Sequence, residues 1–286
     1  MAAVTPAATP APAATPAGPL PVSGGGWGRR VVLLVAAAYF LVPMVIAVTF
    51  TVYNEAQGFS LGAYGRILTA PGFVSSFLQS LALAAATIVL VLVLVLPAML
   101  AVRLGAPGLR PVLETITTLP LIVPPITYVV GISTSLREGA DALAATPFWQ
   151  TLISLQDENF PFVLVLAYVV LALPFAYRSL DAGLRAMDVV TLVEAARNLG
   201  ASWPQVMLRV IMPNLRSALA GAAFLTLALV LGEYTIAALL GYQTFPVWIV
   251  TISGNDGQLS VALSILSLTL IWLLLLTLSR AGRKKS

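Results

Sequence analysis

The sequence predicts an all-α integral membrane protein of six transmembrane helices with both termini cytoplasmic. Three observations predict it. Of 286 residues, 59% are hydrophobic and only 9% charged, where a soluble domain carries about 25% charged residues. Six continuous apolar runs come close to the roughly 20 residues that a helix needs to span hydrocarbon. Thirteen of the fifteen basic residues sort to one face, leaving Arg66 and Arg137 on the other. The positive-inside rule makes the basic face cytoplasmic. The runs do not alternate polar with apolar, so helices rather than a barrel satisfy the backbone in lipid.

Residues 1–28 read as a disordered Ala/Pro/Thr-rich tail, with little apolar bulk and prolines throughout. The six-helix transmembrane domain then spans 29–280, and 281–286 form a basic cytoplasmic tail. The first run, Val31–Val52, is too long for a cleaved signal. The second is Phe77–Val102. The third, Pro111–Leu136, holds Pro120, Pro124 and Pro125, and Pro43, Pro97 and Pro174 sit in the first, second and fourth. Ordinary kinking explains such prolines, and a bend around a pathway is the sharper reading of the third run. The fourth is Phe162–Leu180, the fifth Ser217–Leu240 and the sixth Val261–Leu278. Outer loops carry Glu55, Glu138, Asp141, Asp157, Glu158 and Asp256. Phe148, Trp149 and Phe160 read as aromatic anchors at the membrane surface.

Neither Cys nor His occurs, which removes disulfides, thiolate metal sites and imidazole bases together. An intramembrane enzyme is therefore remote. The net charge of +4 needs no nucleic acid, because the basic residues gather where anionic lipid lies.

Between the fourth and fifth runs, about residues 181–216 form a polar cytoplasmic element. Leu192, Ala195, Ala196 and Leu199 recur at helical spacing as an apolar stripe, opposite Glu194, Arg197 and Asn198. Gly200 stops this helix. Ser202-Trp203-Pro204 opens a second short helix, Trp203 to Val210, which ends before Pro213. Such a unit suits either a knob docking in a partner's groove or an amphipathic helix lying on the membrane.

Glu194-Ala195-Ala196, three residues, Gly200, nine residues, then Val210-Ile211-Met212-Pro213 resembles the EAA loop of binding-protein-dependent ABC importer permeases of type I. Val210 and Met212 depart from the family's Ile and Leu. The resemblance implies a permease of the bacterial inner membrane that pairs with a second permease, identical or not. Cytoplasmic ABC ATPase subunits would carry ATP and Mg, and an extracytoplasmic binding protein would deliver the solute. Glu194, Ala195, Ala196, Gly200 and Pro213 become ATPase-coupling residues. No cofactor is expected in this chain, and G-x-x-x-x-G-K-[ST] is absent from it.

Glu233 is an acid inside the fifth apolar run, roughly 24 Å along the helix from Ser217. With Gly232 and Tyr234-Thr235 it makes a polar, helix-weakening point. Either a cation passes there, making Glu233 and Tyr234 pathway residues, or the acid pairs within the bundle. Leu231 to Gly241 resembles the spermidine/putrescine branch of the family, which implies a polyamine. Iron(III), thiamine and phosphonate importers share related segments. A secondary transporter using Glu233 as its ion site is the alternative class.

Overall fold

The computed structural model describes residues 26–54 and 58–283. The tail up to residue 25, Glu55 and the last three residues lie outside these. The chain divides into two units, the first ending at Ile46 and the second starting at Ala47. The first contributes most of α1 (Gly26–Val52), which runs unbroken past Pro43.

In the second unit a small antiparallel hairpin, β1 (Tyr53–Asn54) and β2 (Gly58–Phe59), pairs Tyr53 with Phe59. It is a minor departure from the all-α expectation. There follow α2 (Gly62–Arg66), α3 (Phe73–Gly105), α4 (Arg110–Thr118), α5 (Pro125–Leu143), α6 (Phe148–Ser154) and α7 (Phe162–Arg185). Pro97 and Pro174 lie inside continuous helices. The third run behaves otherwise. Short 3₁₀ turns flank α4, Pro124 is extended, and the two arms, Pro107–Leu121 and Pro125–Leu143, meet at 97°. The third run is thus bent, as the sharper reading of its prolines had it: a proline disfavours helical backbone in the residue before it, and Pro124-Pro125 imposes that break.

The chain continues through α8 (Val189–Asn198), α9 (Trp203–Gln205), a wide π turn (Val206–Ile211), α10 (Met212–Asn214), α11 (Arg216–Gly232), α12 (Thr235–Leu239), α13 (Phe245–Ser253) and α14 (Gly257–Arg283). The fifth run is corrected. α11 stops at Gly232, Glu233 is extended, and α12 begins afresh at Thr235. Trp203–Asn214 meets Arg216–Gly232 at 82°. Among the described residues, three helices are long and apolar enough to cross a membrane, namely Trp27–Val52, Phe73–Gly105 and Phe162–Arg185. The count reaches five if each bent pair is one span.

α3, α7 and α11 pack together around Leu83, Val91, Leu164, Tyr168, Leu180 and Ala222. Apolar bulk alone gives little drive to associate in lipid, so close backbone approach matters. At the α7–α11 crossing, Ser179 donates to the Ala218 carbonyl at 2.8 Å. A Cβ on Gly183 would lie 2.5 Å from that of Ala218. Buried Thr87 and Thr226 donate to Leu83 and Ala222 carbonyls one turn back, both at 2.8 Å. A second cluster joins Phe73 and Phe77 of α3 to Phe245 and Trp248 of α13. The Trp248 indole N–H donates to Pro71 at 3.1 Å.

Candidate coupling site and helix break

α7 runs through Asp181 to Arg185, so the excursion begins only at Ala186. Three residues later Asp188 caps α8. Its carboxylate accepts from the Thr191 hydroxyl at 2.7 Å and the Thr191 N–H at 3.3 Å. The hydroxyl bond, then the backbone one, hold that carboxyl below the ordinary aspartate range.

α8 buries Val189 and Val193 and half-buries Leu192 and Ala196. The expected stripe is therefore corrected in phase: Ala195 is exposed and Leu199 is 89% exposed. Spacing of three and four residues permits both phases. The π turn decides between them, since buried Val206 and Ile211 lie in the segment that packs on α8. Glu194, Ala195, Arg197, Asn198 and Leu199 thus form one outward surface. Glu194 makes no ion pair or hydrogen bond among the described residues.

Gly200 ends α8 at φ +83°. Its N–H donates to Arg197 at 2.9 Å, and the Ala201 N–H donates to Ala196 at 3.0 Å. That pair of bonds is a Schellman motif, which needs a left-handed residue at this position. Arg197 clasps the turn by donating to the Ala201 carbonyl at 2.8 Å while its guanidinium stacks 5.4 Å over Trp203. At the second helix, the Gln205 side chain accepts from the Ser202 N–H at 2.8 Å.

A stop before Pro213 is not what forms. The helix widens instead, and the Met212 N–H donates to Met207, five residues back. Pro213 has no N–H for the Arg209 carbonyl, and a wider turn absorbs the misfit. The Asn214 side chain donates to the Val210 carbonyl at 2.7 Å. Helix then continues through Pro213 to a turn at Leu215.

Sequence reasoning missed the centre beneath this unit. Asp181, with its side chain 10% exposed, pairs with Arg103 at 2.6 Å, Arg110 at 3.4 Å and Arg185 at 2.6 Å. Arg103 also donates to the Leu184 carbonyl at 3.0 Å. The four-residue spacing of Asp181 and Arg185 was the one signal in the sequence.

Glu233 lies at the interruption between α11 and α12, half-buried. Its carboxylate accepts from Ile236 N–H at 2.8 Å and Ala237 N–H at 3.4 Å, capping α12. The buried Tyr168 hydroxyl makes no hydrogen bond of good geometry and lies within electrostatic reach of this carboxylate. Tyr234 beside it is exposed. The Glu194–Gly200 segment belongs to the excursion after α7, whereas Glu233 follows the far end of α11, so the two groups of expected residues are separate sites.

The family model described as "Binding-protein-dependent transport system inner membrane component" matches residues 103–283, which include the Asp181 cluster, the coupling segment and the break at Glu233. The chain belongs to this family. The permease is 30% identical over 197 residues to the "Probable sulfate transport system permease protein cysT" of Nephroselmis olivacea, across 68% of this chain and 67% of that protein. Its fold is similar to a chain of a bacterial alginate ABC transporter in complex with a pentasaccharide-bound periplasmic protein. The TM-score is 0.63 at 16% identity, over 90% of this chain and 94% of that one. A second structure, of a bacterial ABC transporter that imports the acidic polysaccharide alginate, gives 0.65 at 13% identity, over 91% and 95%. The permease is a multi-pass inner-membrane component of a binding-protein-dependent ABC transporter, and the ATPase is a separate subunit.

Proposed function

We propose that this permease forms half of a solute pathway across the inner membrane, and that a cytoplasmic ATPase drives it through the surface Glu194–Gly200. The observation that carries the reading is that surface: a rigidly stopped helix presenting an unpaired carboxylate, small Ala195 and bare Leu199 outward. Leaving a leucine 89% exposed beside a free acid favours a protein groove over solvent. In this reading the chain has six spans with both ends inside and pairs with a second permease. A binding protein delivers solute from outside, and ATP and Mg bind the ATPase. Residues 1–28 and 281–286 are cytoplasmic tails, and Pro213 holds the wide turn that carries motion into α11.

For the solute, an oxyanion fits better than a polyamine. The relative at 30% identity is named for sulfate, and both Glu233 oxygens are committed to α12 N–H groups. The polycation reading rests on Glu233 being half-buried beside the buried Tyr168 hydroxyl, with Tyr234 at the same break.

The test is uptake into liposomes holding the full transporter. Glu194→Ala should abolish ATP-driven uptake while the complex stays inserted; undiminished uptake would return the helix to the membrane surface. Glu233→Gln separates the solutes. It should cut spermidine uptake about tenfold if the acid binds cations, a loss of about 1.4 kcal/mol, and leave sulfate uptake nearly unchanged if it only caps α12.

A further inference from the structure

Two basic residues escape the basic face of this chain, and they fare differently. Arg66 is neutralised by Asp256 at 2.8 Å. Arg137 has neither an ion pair nor a hydrogen bond among the described residues, although Glu138 and Asp141 are close to it on α5. It lines a cavity of about 340 Å³ with Ser133, Gln156, Leu239, Leu240 and Tyr242. This cavity lies between α5 and the segment after the helix break. It is at the Phe162 end of α7, since Gln156 precedes that helix, and Asp181 is near the other end.

We propose that this cavity is an oxyanion subsite on the solute pathway, with Arg137 as its binding residue. The proposal rests on the oxyanion reading above and assigns it a place. The other polar groups already have hydrogen-bond partners. Tyr242 donates to the Gln156 carbonyl at 3.4 Å, Gln156 to the Leu152 carbonyl at 3.2 Å, and Ser133 to the Val130 carbonyl at 3.2 Å. All five guanidinium N–H groups of Arg137 stay available, in the planar fork that matches an oxyanion. The volume exceeds an oxyanion by several waters at about 30 Å³ each, so the ion keeps part of its hydration. A single fixed cation in a wet cavity holds an anion weakly, which suits a stop the solute must leave again. Glu138, Asp141 and Glu158 disfavour anions nearby, so removing Arg137 leaves the cavity closed to them.

The experiment is ATP-driven uptake of radiolabelled sulfate and, separately, radiolabelled spermidine by the complete transporter in liposomes. Arg137→Gln should lower kcat/KM for sulfate about tenfold, equivalent to about 1.4 kcal/mol, and Arg137→Lys should recover part of it. Arg137 is exposed, and assembly of each variant is checked by its yield of intact complex. Unchanged sulfate kinetics in Arg137→Gln overturn the subsite. Spermidine uptake that quickens in that variant, or a wild-type complex that carries no sulfate, overturns the oxyanion class. ATP dependence for either solute upholds the permease reading whichever way Arg137 falls.

Discussion

Arg103 holds Asp181 at 2.6 Å with one guanidinium nitrogen and the Leu184 carbonyl at 3.0 Å with the other. The end of α3 is thereby tied to the last turn of α7, immediately before the excursion that carries α8 leaves it.

The three arginines around Asp181 should contribute unequally. Arg103 is the least exposed of them and Arg185 the most. Asp181→Asn leaves half-buried Arg103 without its partner carboxylate and should cost about 3 kcal/mol. Arg185→Gln removes only the most exposed of the three pairs and should cost least. Thermal unfolding of the detergent-purified permease checks the order; equal losses would show that the cluster is solvated.

Gly183 should tolerate no side chain unless its neighbour shrinks. Its Cβ would meet Ala218 Cβ at 2.5 Å and a Leu215 methyl at 2.9 Å. Gly183→Ala should destabilise by about 1–3 kcal/mol, with Ala218→Gly restoring much of the loss. A double-mutant cycle on the unfolding midpoint measures the coupling, and strict additivity would refute direct contact.

Gly200 offers the opposite case, for a Cβ there meets nothing within 4 Å. Its requirement is the positive φ alone. Gly200→Ala should cost about 1 kcal/mol at the turn, and Gly200→Asn less. Hydrogen exchange at the Ala201 amide reads this directly; a larger effect of bulk on uptake than on exchange would come from the docked partner.

Asp188 gives α8 a pH dependence. Its carboxyl is depressed by Thr191, so the cap is fully present above the ordinary aspartate value and is lost as pH falls through the lower folded one. Amide exchange over Val190–Val193 should quicken on acidification in that range. Asp188→Asn still caps and should flatten the profile; a wild-type profile without that acid limb would remove Asp188 from the account.

Local chemistry was legible and distant pairing was not. The glycine stop at 200 and the Ser202 start depend on neighbours within five residues, so spacing revealed them. The facing of α8 depends on Val206 and Ile211 beyond the turn, and three-and-four spacing permits two phases. Asp181 finds Arg103 and Arg110 more than 70 residues away, and positive-inside sorting had already accounted for both arginines as residues of the cytoplasmic face. Gly232 and Tyr234 announced a weak point in the fifth run, but not that Glu233 would spend its charge restarting the helix.

The tight crossing at Gly183 and Ala218 has a mechanical consequence. Both legs of the excursion leave from this one fulcrum. In the proposed coupling, a push on the excursion would turn α7 and α11 as a pair, because a seam this close resists sliding.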